Sequence, residues 1–189
     1  MGSRTEGPPH GGGRDALMAA VVRIVAEKGL KGLSYRSVAK DAGVNHNLIS
    51  HHFGSMDSLL TLTLEWSIEK AIENTKLELF AEFDERYADV LMESVIVEPE
   101  IHLFQFEMLL EARRRPELRK NSRNLYDGYT RSMRNALSKR GIEADDDFCR
   151  TVFAALDGLM LQVLTLGDTE RTRSSVIALG RLLADATQK

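Results

Sequence analysis

The sequence predicts an all-α protein of about nine helices, a small three-helix head followed by a larger helical body. Three observations carry this expectation. Apolar residues recur at helical spacing along almost all of the chain after residue 13. No segment sustains the two-residue alternation of a half-buried strand. Glycines, prolines and N-capping residues interrupt the pattern at intervals that suit helices. Composition agrees: 189 residues, 43% hydrophobic and 28% charged, can bury a real core and are too apolar for a disordered chain. No apolar run reaches the roughly 18 residues of a membrane helix, and no secretory segment opens the chain. A single cysteine, Cys149, rules out an intrachain disulfide and fits a reducing cytoplasm.

Element by element, residues 1–13 hold Gly2, Gly7, Pro8, Pro9 and Gly11-Gly12-Gly13, which predicts a flexible arm. Leu17, Val21, Ile24 and Val25 form one stripe of a first helix that ends at Gly29. Ser34 is a suitable N-cap for a short helix over 35–42, with Val38, Ala39 and Ala42 inward. Gly43 permits the positive φ of a tight turn. Asn45 caps a third helix ending at Phe53, with Leu48, Ile49 and Phe53 inward, and Ser55 caps a fourth. Leu60, Leu64, Ile68, Ala71 and Leu79 keep register over 56–83, which predicts a helix of roughly 40 Å. Further helices are predicted over 86–97, 99–114, 116–139, 146–166 and 172–187. The implied organisation is an arm (1–13), a helix-turn-helix head (14–55) and a body (56–189).

The chemistry is concentrated in LSYRSVAKDAGVNHNLISHHFGSMDSLL, residues 33–60. Two short helices joined by a glycine-containing turn have the dimensions of a helix-turn-helix. Small Ala39 allows a close crossing, and Val44, Ile49 and Phe53 anchor the third helix. Its other face then presents Asn45, His46, Asn47, Ser50 and His51, short polar side chains able to meet base edges in a major groove about 12 Å wide. Ser34, Tyr35 and Arg36, at a helix N-terminus, suit phosphate. Charge supports the assignment. The net charge is -3, but residues 1–56 carry 7 Lys/Arg against 4 Asp/Glu, so a basic head sits on an acidic body. A small helical core with a merely solvated polar face would share the same pattern.

The segment resembles the DNA-binding head of the tetracycline-repressor (TetR) family of bacterial transcription regulators. The resemblance rests on Gly32-Leu33-Ser34, Val38-Ala39, Ala42-Gly43-Val44, His51-His52-Phe53, Ser55 and Leu59-Leu60, all in register across about 16–60. It implies a homodimeric, ligand-responsive regulator, a repressor on a palindromic double-stranded DNA operator. His52 takes a backbone-contacting position in that pattern. Ser50, His52 and Met56 depart from the family's usual residues, which implies an operator of its own. A helical interaction adaptor with a degenerate DNA-binding head is the alternative reading.

Other candidates have simpler explanations. His46, His51 and His52 lack the i, i+3 or i, i+4 spacing of a helical metal pair, so no metal or other cofactor is expected. Arg113-Arg114-Arg115 suits a helix C-terminus, with Glu111 placed to pair with Arg115. Asp145-Asp146-Asp147 suits a helix start. Cys149 reads as a small buried hydrophobe. No phosphate-binding glycine loop, Gly-x-Ser-x-Gly or helical zinc pair is present, so an enzyme is not expected. The eighth and ninth helices are apolar on nearly two sides, which fits a four-helix interface between two copies through Phe153, Leu159, Met160, Val163, Leu179 and Leu183. By resemblance, the fourth to seventh helices enclose a ligand cavity. Trp66, Phe80, Phe104, Met108, Tyr126, Tyr129 and Met133 are its candidate walls, and Phe83 belongs to the same apolar set. His102, Gln105, Tyr126 and Tyr129 are its candidate polar handles. Apolar residues at this spacing also suit a plain core. The expected effector is largely apolar, such as an aromatic or acyl compound.

Overall fold

The computed structural model describes residues 12–82 and 84–187. Nine α-helices and three short 3-10 turns make up these residues, and no strand occurs among them. The helices are α1 (Gly12–Lys28), α2 (Tyr35–Asp41), α3 (Asn47–Phe53), α4 (Met56–Thr75), α5 (Glu85–Val97), α6 (Pro99–Glu111), α7 (Arg119–Ser138), α8 (Asp146–Leu166) and α9 (Thr169–Thr187).

The caps explain most boundaries. The Ser55 hydroxyl accepts from the Ser58 amide at 3.1 Å and starts α4. Asp145 accepts from the Phe148 amide at 2.8 Å and starts α8. Pro99 opens α6, where its missing N–H costs nothing. Cys149 is buried within α8, and burial pushes its thiol pKa up.

Several expectations are corrected. α1 begins at Gly12, inside the expected arm; the rest of that arm, residues 1–11, lies outside the described residues, as does Phe83. α4 stops at Thr75, because Lys76 turns left-handed (φ 43°) and a 3-10 segment, Leu77–Glu82, follows. Its 20 residues span roughly 30 Å. α6 ends at Glu111, so the three arginines lie beyond it, with Glu111 accepting from Arg114 at 3.0 Å and Arg115 at 3.2 Å. Pro116 opens a 3-10 turn rather than α7 itself. α8 is long and apolar enough by composition to cross a membrane (mean hydropathy 1.4), contrary to the expectation that no segment is. In the structure it packs against α7 and α9.

The core runs without interruption from head to body. α1 packs on α2 and α3 within the head and on α4 and α6 below it. Leu17, Met18, Val21 and Val25 are fully buried along that seam. The 3-10 segment Leu77–Glu82 packs on α7, and Arg140 pairs with Glu82 to fasten the two. α9 covers α5 and α8, and Arg173 bonds Asp89 across the α5–α9 seam.

Candidate functional site

The head builds a rigid platform from short local bonds. Ser34 and Ser37 cap each other: the Ser37 amide donates to the Ser34 hydroxyl at 3.0 Å, and the Ser34 amide donates to the Ser37 hydroxyl at 2.9 Å. The amides of Tyr35 and Arg36 then remain without an acceptor inside α2, which leaves donors for an anion. Val38 and Ala39 bury the inner face of α2. Gly43, at φ 66°, turns the chain, and the Val44 amide closes the turn on the Ala39 carbonyl at 3.0 Å. The Asn45 carboxamide oxygen accepts from the Asn47 amide at 2.9 Å and opens α3. An Arg23–Asp41 hydrogen bond of 3.0 Å ties α1 to the end of α2.

α3 is anchored by two side chains. Ile49 is fully buried and Phe53 nearly so, while Leu48 is half-buried. Burying Ile49 and Phe53 stabilises the docking of α3 by about 1.5–3 kcal/mol each. The Arg14 guanidinium lies over the Phe53 ring at 5.6 Å, and His51 and His52 meet edge to face at 5.1 Å. Every residue expected to read bases is exposed: Asn45, His46, Asn47, Ser50 and His51. So are the expected backbone contacts Ser34, Tyr35, Arg36 and His52. Arg36 has no ion-pair partner among the described residues, so its charge is available to a ligand. The platform thus offers polar donors and acceptors on one short helix, flanked by a cation and open amides.

The body holds a second candidate site. A cavity of about 20 Å³, room for about one water, lies among α5, α6, α7, α8 and the junction after α4. A larger occupant must therefore displace side chains. Of the seven expected wall residues, Tyr129 alone lines this cavity. Phe80, Phe104, Met108 and Met133 are fully buried core, packed against their neighbours. Trp66 is half-buried, and Tyr126 lines a shallower groove between α7 and α8. Of the expected polar handles, His102, Gln105 and Tyr129 face the cavity. Sequence reasoning missed Tyr87, Leu91, Phe106, Phe153, Leu156 and Asp157 as wall residues.

Two polar groups of the cavity, Tyr129 and Gln105, join Ser67 in a hydrogen-bond chain across three helices. The Tyr129 hydroxyl donates to Gln105 Oε1 at 3.0 Å, and Gln105 Nε2 donates to Ser67 Oγ at 3.2 Å. Ser67 in turn donates to the Leu64 carbonyl at 2.8 Å, inside α4. Burial pushes the Tyr87 and Tyr129 phenols well above their usual range. Burial pulls His102 down to about 4, so its imidazole is neutral at pH 7. Burial pushes the Asp157 carboxyl up to about 6. Tyr129 stacks on Phe153 at 4.4 Å between ring centres.

The expected interface residues are divided by the structure. Phe153, Met160, Val163 and Leu183 are buried inside the protomer, and Leu159 and Leu179 are half-buried. The large apolar residues that α8 and α9 expose are Leu161 (43% exposed), Leu166 (73%) and Leu182 (68%).

Comparison with known proteins covers both halves. Residues 17–62 match the family described as "Bacterial regulatory proteins, tetR family". Residues 81–185 match "Tetracyclin repressor-like, C-terminal domain". The HTH-type transcriptional regulator CymR of Pseudomonas putida is 27% identical over 179 residues, covering 87% of each chain. The HTH-type transcriptional regulator PksA of Bacillus subtilis is 26% identical, covering 80% of this chain and 78% of its own. Among solved structures, the multidrug binding protein EbrR complexed with imidazole superposes with a TM-score of 0.64 at 27% identity, covering 88% of this chain and 93% of its own. A TetR-family regulator from Rhodococcus sp. shares the fold, with a TM-score of 0.73 at 21% identity over 94% of this chain and 99% of its own.

Proposed function

Since the chain belongs to the TetR family of DNA-binding transcription regulators, whose members regulate rather than catalyse, we propose that it is a ligand-responsive repressor, acting in the cytoplasm as a homodimer on a palindromic operator. The observation that carries the proposal is the exposed polar face of α3, held rigid from below by Ile49 and Phe53. Asn45, His46, Asn47, Ser50 and His51 read bases, while Ser34, Tyr35, Arg36 and His52 hold the phosphate backbone. The head is residues 14–55 and the body 56–189.

Dimerisation uses α8 and α9 through Leu161, Leu166 and Leu182, large apolar side chains that the protomer leaves in solvent. Half-buried Leu159 and Leu179 border them. An effector binds the body cavity, whose wall is largely apolar with a few orienting polar groups. EbrR is a multidrug binding protein complexed with proflavin and with ethidium, at 28% and 26% identity, which supports a flat aromatic effector here.

The route from cavity to head is short. His102, Gln105, Phe106 and Leu109 of the cavity wall belong to α6, and α6 packs on α1 of the head. An occupant that displaces α6 moves α1, and the hydrogen-bond chain through Ser67 carries the same displacement into α4. Because the effector prefers the state with displaced heads, it lowers operator affinity, and operator lowers effector affinity by the same factor.

The test is titration of the purified chain into the DNA upstream of its own coding sequence, followed by fluorescence anisotropy over a salt series. Binding that is tighter than to a shuffled duplex and weakens with salt supports the regulator. Equal, weak binding to both duplexes rejects it in favour of an interaction adaptor.

A further inference from the structure

The body cavity contains one carboxylate, and nothing in the protein neutralises it. Asp157 lies on α8 between Phe153 and Met160, and it is shared by the inner cavity and the outer groove between α7 and α8. No hydrogen bond or ion pair to its side chain occurs among the described residues. Three of the other polar groups are already engaged within the fold. Tyr129 and Gln105 engage each other, and the Thr75 hydroxyl donates to the Ala71 carbonyl at 2.7 Å. His102 is neutral at pH 7 for want of solvent. Around these groups the wall is Leu77, Leu91, Phe106, Leu109, Leu125 and Leu156.

A half-buried carboxylate beside such a wall is poorly solvated, and a cation that meets it gains what water does not supply. The titrating and charged groups around it offer no such cation from within. Tyr126 and Tyr129 of α7 are neutral phenols, and Tyr87 of α5 is the same. Asp147, in the outer groove, adds negative charge. Arg150 lines that groove too, but it is exposed and forms no ion pair with Asp157. Next to the carboxylate stand the stacked rings of Tyr129 and Phe153, 4.4 Å apart at 17°. Aromatic faces attract cations, most strongly where water is excluded.

We propose that the cavity is selective for an organic monocation on a flat apolar frame, with Asp157 as its counter-ion and the Tyr129–Phe153 pair as its aromatic wall. The inference rests on reading the body as an effector site and narrows the effector from apolar to apolar and cationic. A metal ion does not fit, because no group of three or more potential metal ligands occurs among the described residues. An anionic acyl compound would meet the field of Asp157 with the wrong sign. The outer groove supplies the approach, since Asp157 borders both spaces.

The test uses two probes of the same size and shape. One is 1-methylquinolinium, a permanent cation; the other is 4-methylquinoline, measured at pH 8, where it is neutral and Asp157 is ionised. Calorimetric titration of the purified protein should give at least tenfold tighter binding of the cation. D157N, nearly isosteric and uncharged, should bind both probes alike, and D157E should recover part of the preference. Circular dichroism establishes that each variant is folded. Equal affinity of the wild type for the two probes, no detectable binding of the cation, or an undiminished preference in D157N would each overturn the proposal. Operator titration with each probe separates this result from the regulator reading. A cation that binds through Asp157 yet leaves operator affinity unchanged upholds the site and rejects the sensor, whereas release by the neutral probe alone does the reverse.

Discussion

Arg36→Ala isolates the electrostatic part of DNA binding. Arg36 is exposed at the start of α2 and has no ion-pair partner among the described residues, so its removal should change stability by less than about 0.5 kcal/mol. Arg23 would be a poorer probe, because it is bonded to Asp41 and its loss would loosen the α1–α2 contact. In a dimer the substitution removes two phosphate contacts, one per head. Each neutralised phosphate contributes about -0.9 to the slope of log affinity against log salt, so the slope should flatten by about 1.8. Between roughly 50 and 200 mM salt, a fourfold change, the wild type should therefore lose about twelvefold more affinity than the variant. Anisotropy titrations with an operator duplex and a shuffled duplex measure both slopes. The loss should be nearly equal on the two duplexes, since phosphates carry no sequence. An unchanged slope, or a loss confined to the operator, would refute the assignment of Arg36 to the backbone.

Asn47→Ala and His51→Ala should behave in the opposite way, each costing about 1–3 kcal/mol on the operator and relaxing preference at particular bases; unchanged base preferences would remove α3 from the groove. Leu161→Asp with Leu182→Asp puts charge on side chains that the protomer exposes, so sedimentation at micromolar concentration should show folded monomers. A persistent dimer would move the interface elsewhere. Leu183→Asp, at a buried position, should instead unfold the protomer. His102→Leu tests the buried imidazole. Its folded pKa of about 4 is below the ordinary 6.5, so the unfolded chain binds a proton that the native state refuses as pH falls from 6.5 towards 4. The wild type should lose stability relative to the variant across that window, by about 1.4 kcal/mol per pH unit at most. Asp157, raised to about 6, acts in the opposite sense as it protonates, and the difference between the two proteins cancels it. Parallel denaturation midpoints for the two proteins from pH 7 to 4.5 would mean that His102 is not buried neutral.

The head was the most legible part of the chain because its geometry is written in local chemistry. Ser34 and Ser55 are short acceptors placed just before apolar repeats, and both cap in the structure as expected, whereas the N-cap of α3 is His46 and Asn45, one residue earlier, holds the turn through the Asn47 amide. The end of α4 was not legible. Leu77, Leu79 and Phe80 continue its apolar rhythm, and the residue that breaks it, Lys76, has no intrinsic preference for the left-handed region. Most of the cavity wall was missed for a related reason. Periodicity identifies an inward face but not whether that face meets another side chain or encloses space, so Phe104 and Met133 read the same as true wall residues. One signal was present: Asp157 is the sole charge between Arg150 and Asp168 in an otherwise apolar stretch. The sequence makes α8 apolar on nearly two sides, but which side faces outward depends on the rotation of the helix. One residue is 100°, and that step separates buried Met160 from exposed Leu161.

Selection of bound duplexes from a random pool by the wild-type protein shows whether two copies of this chain read an inverted repeat through α3. Two mirrored half-sites with centres about 34 Å apart, or a multiple of it, should be enriched, and the preferred bases should be lost when the selection is repeated with Asn47→Ala. Enrichment of a single unpaired site, or of no sequence at all, would contradict that reading.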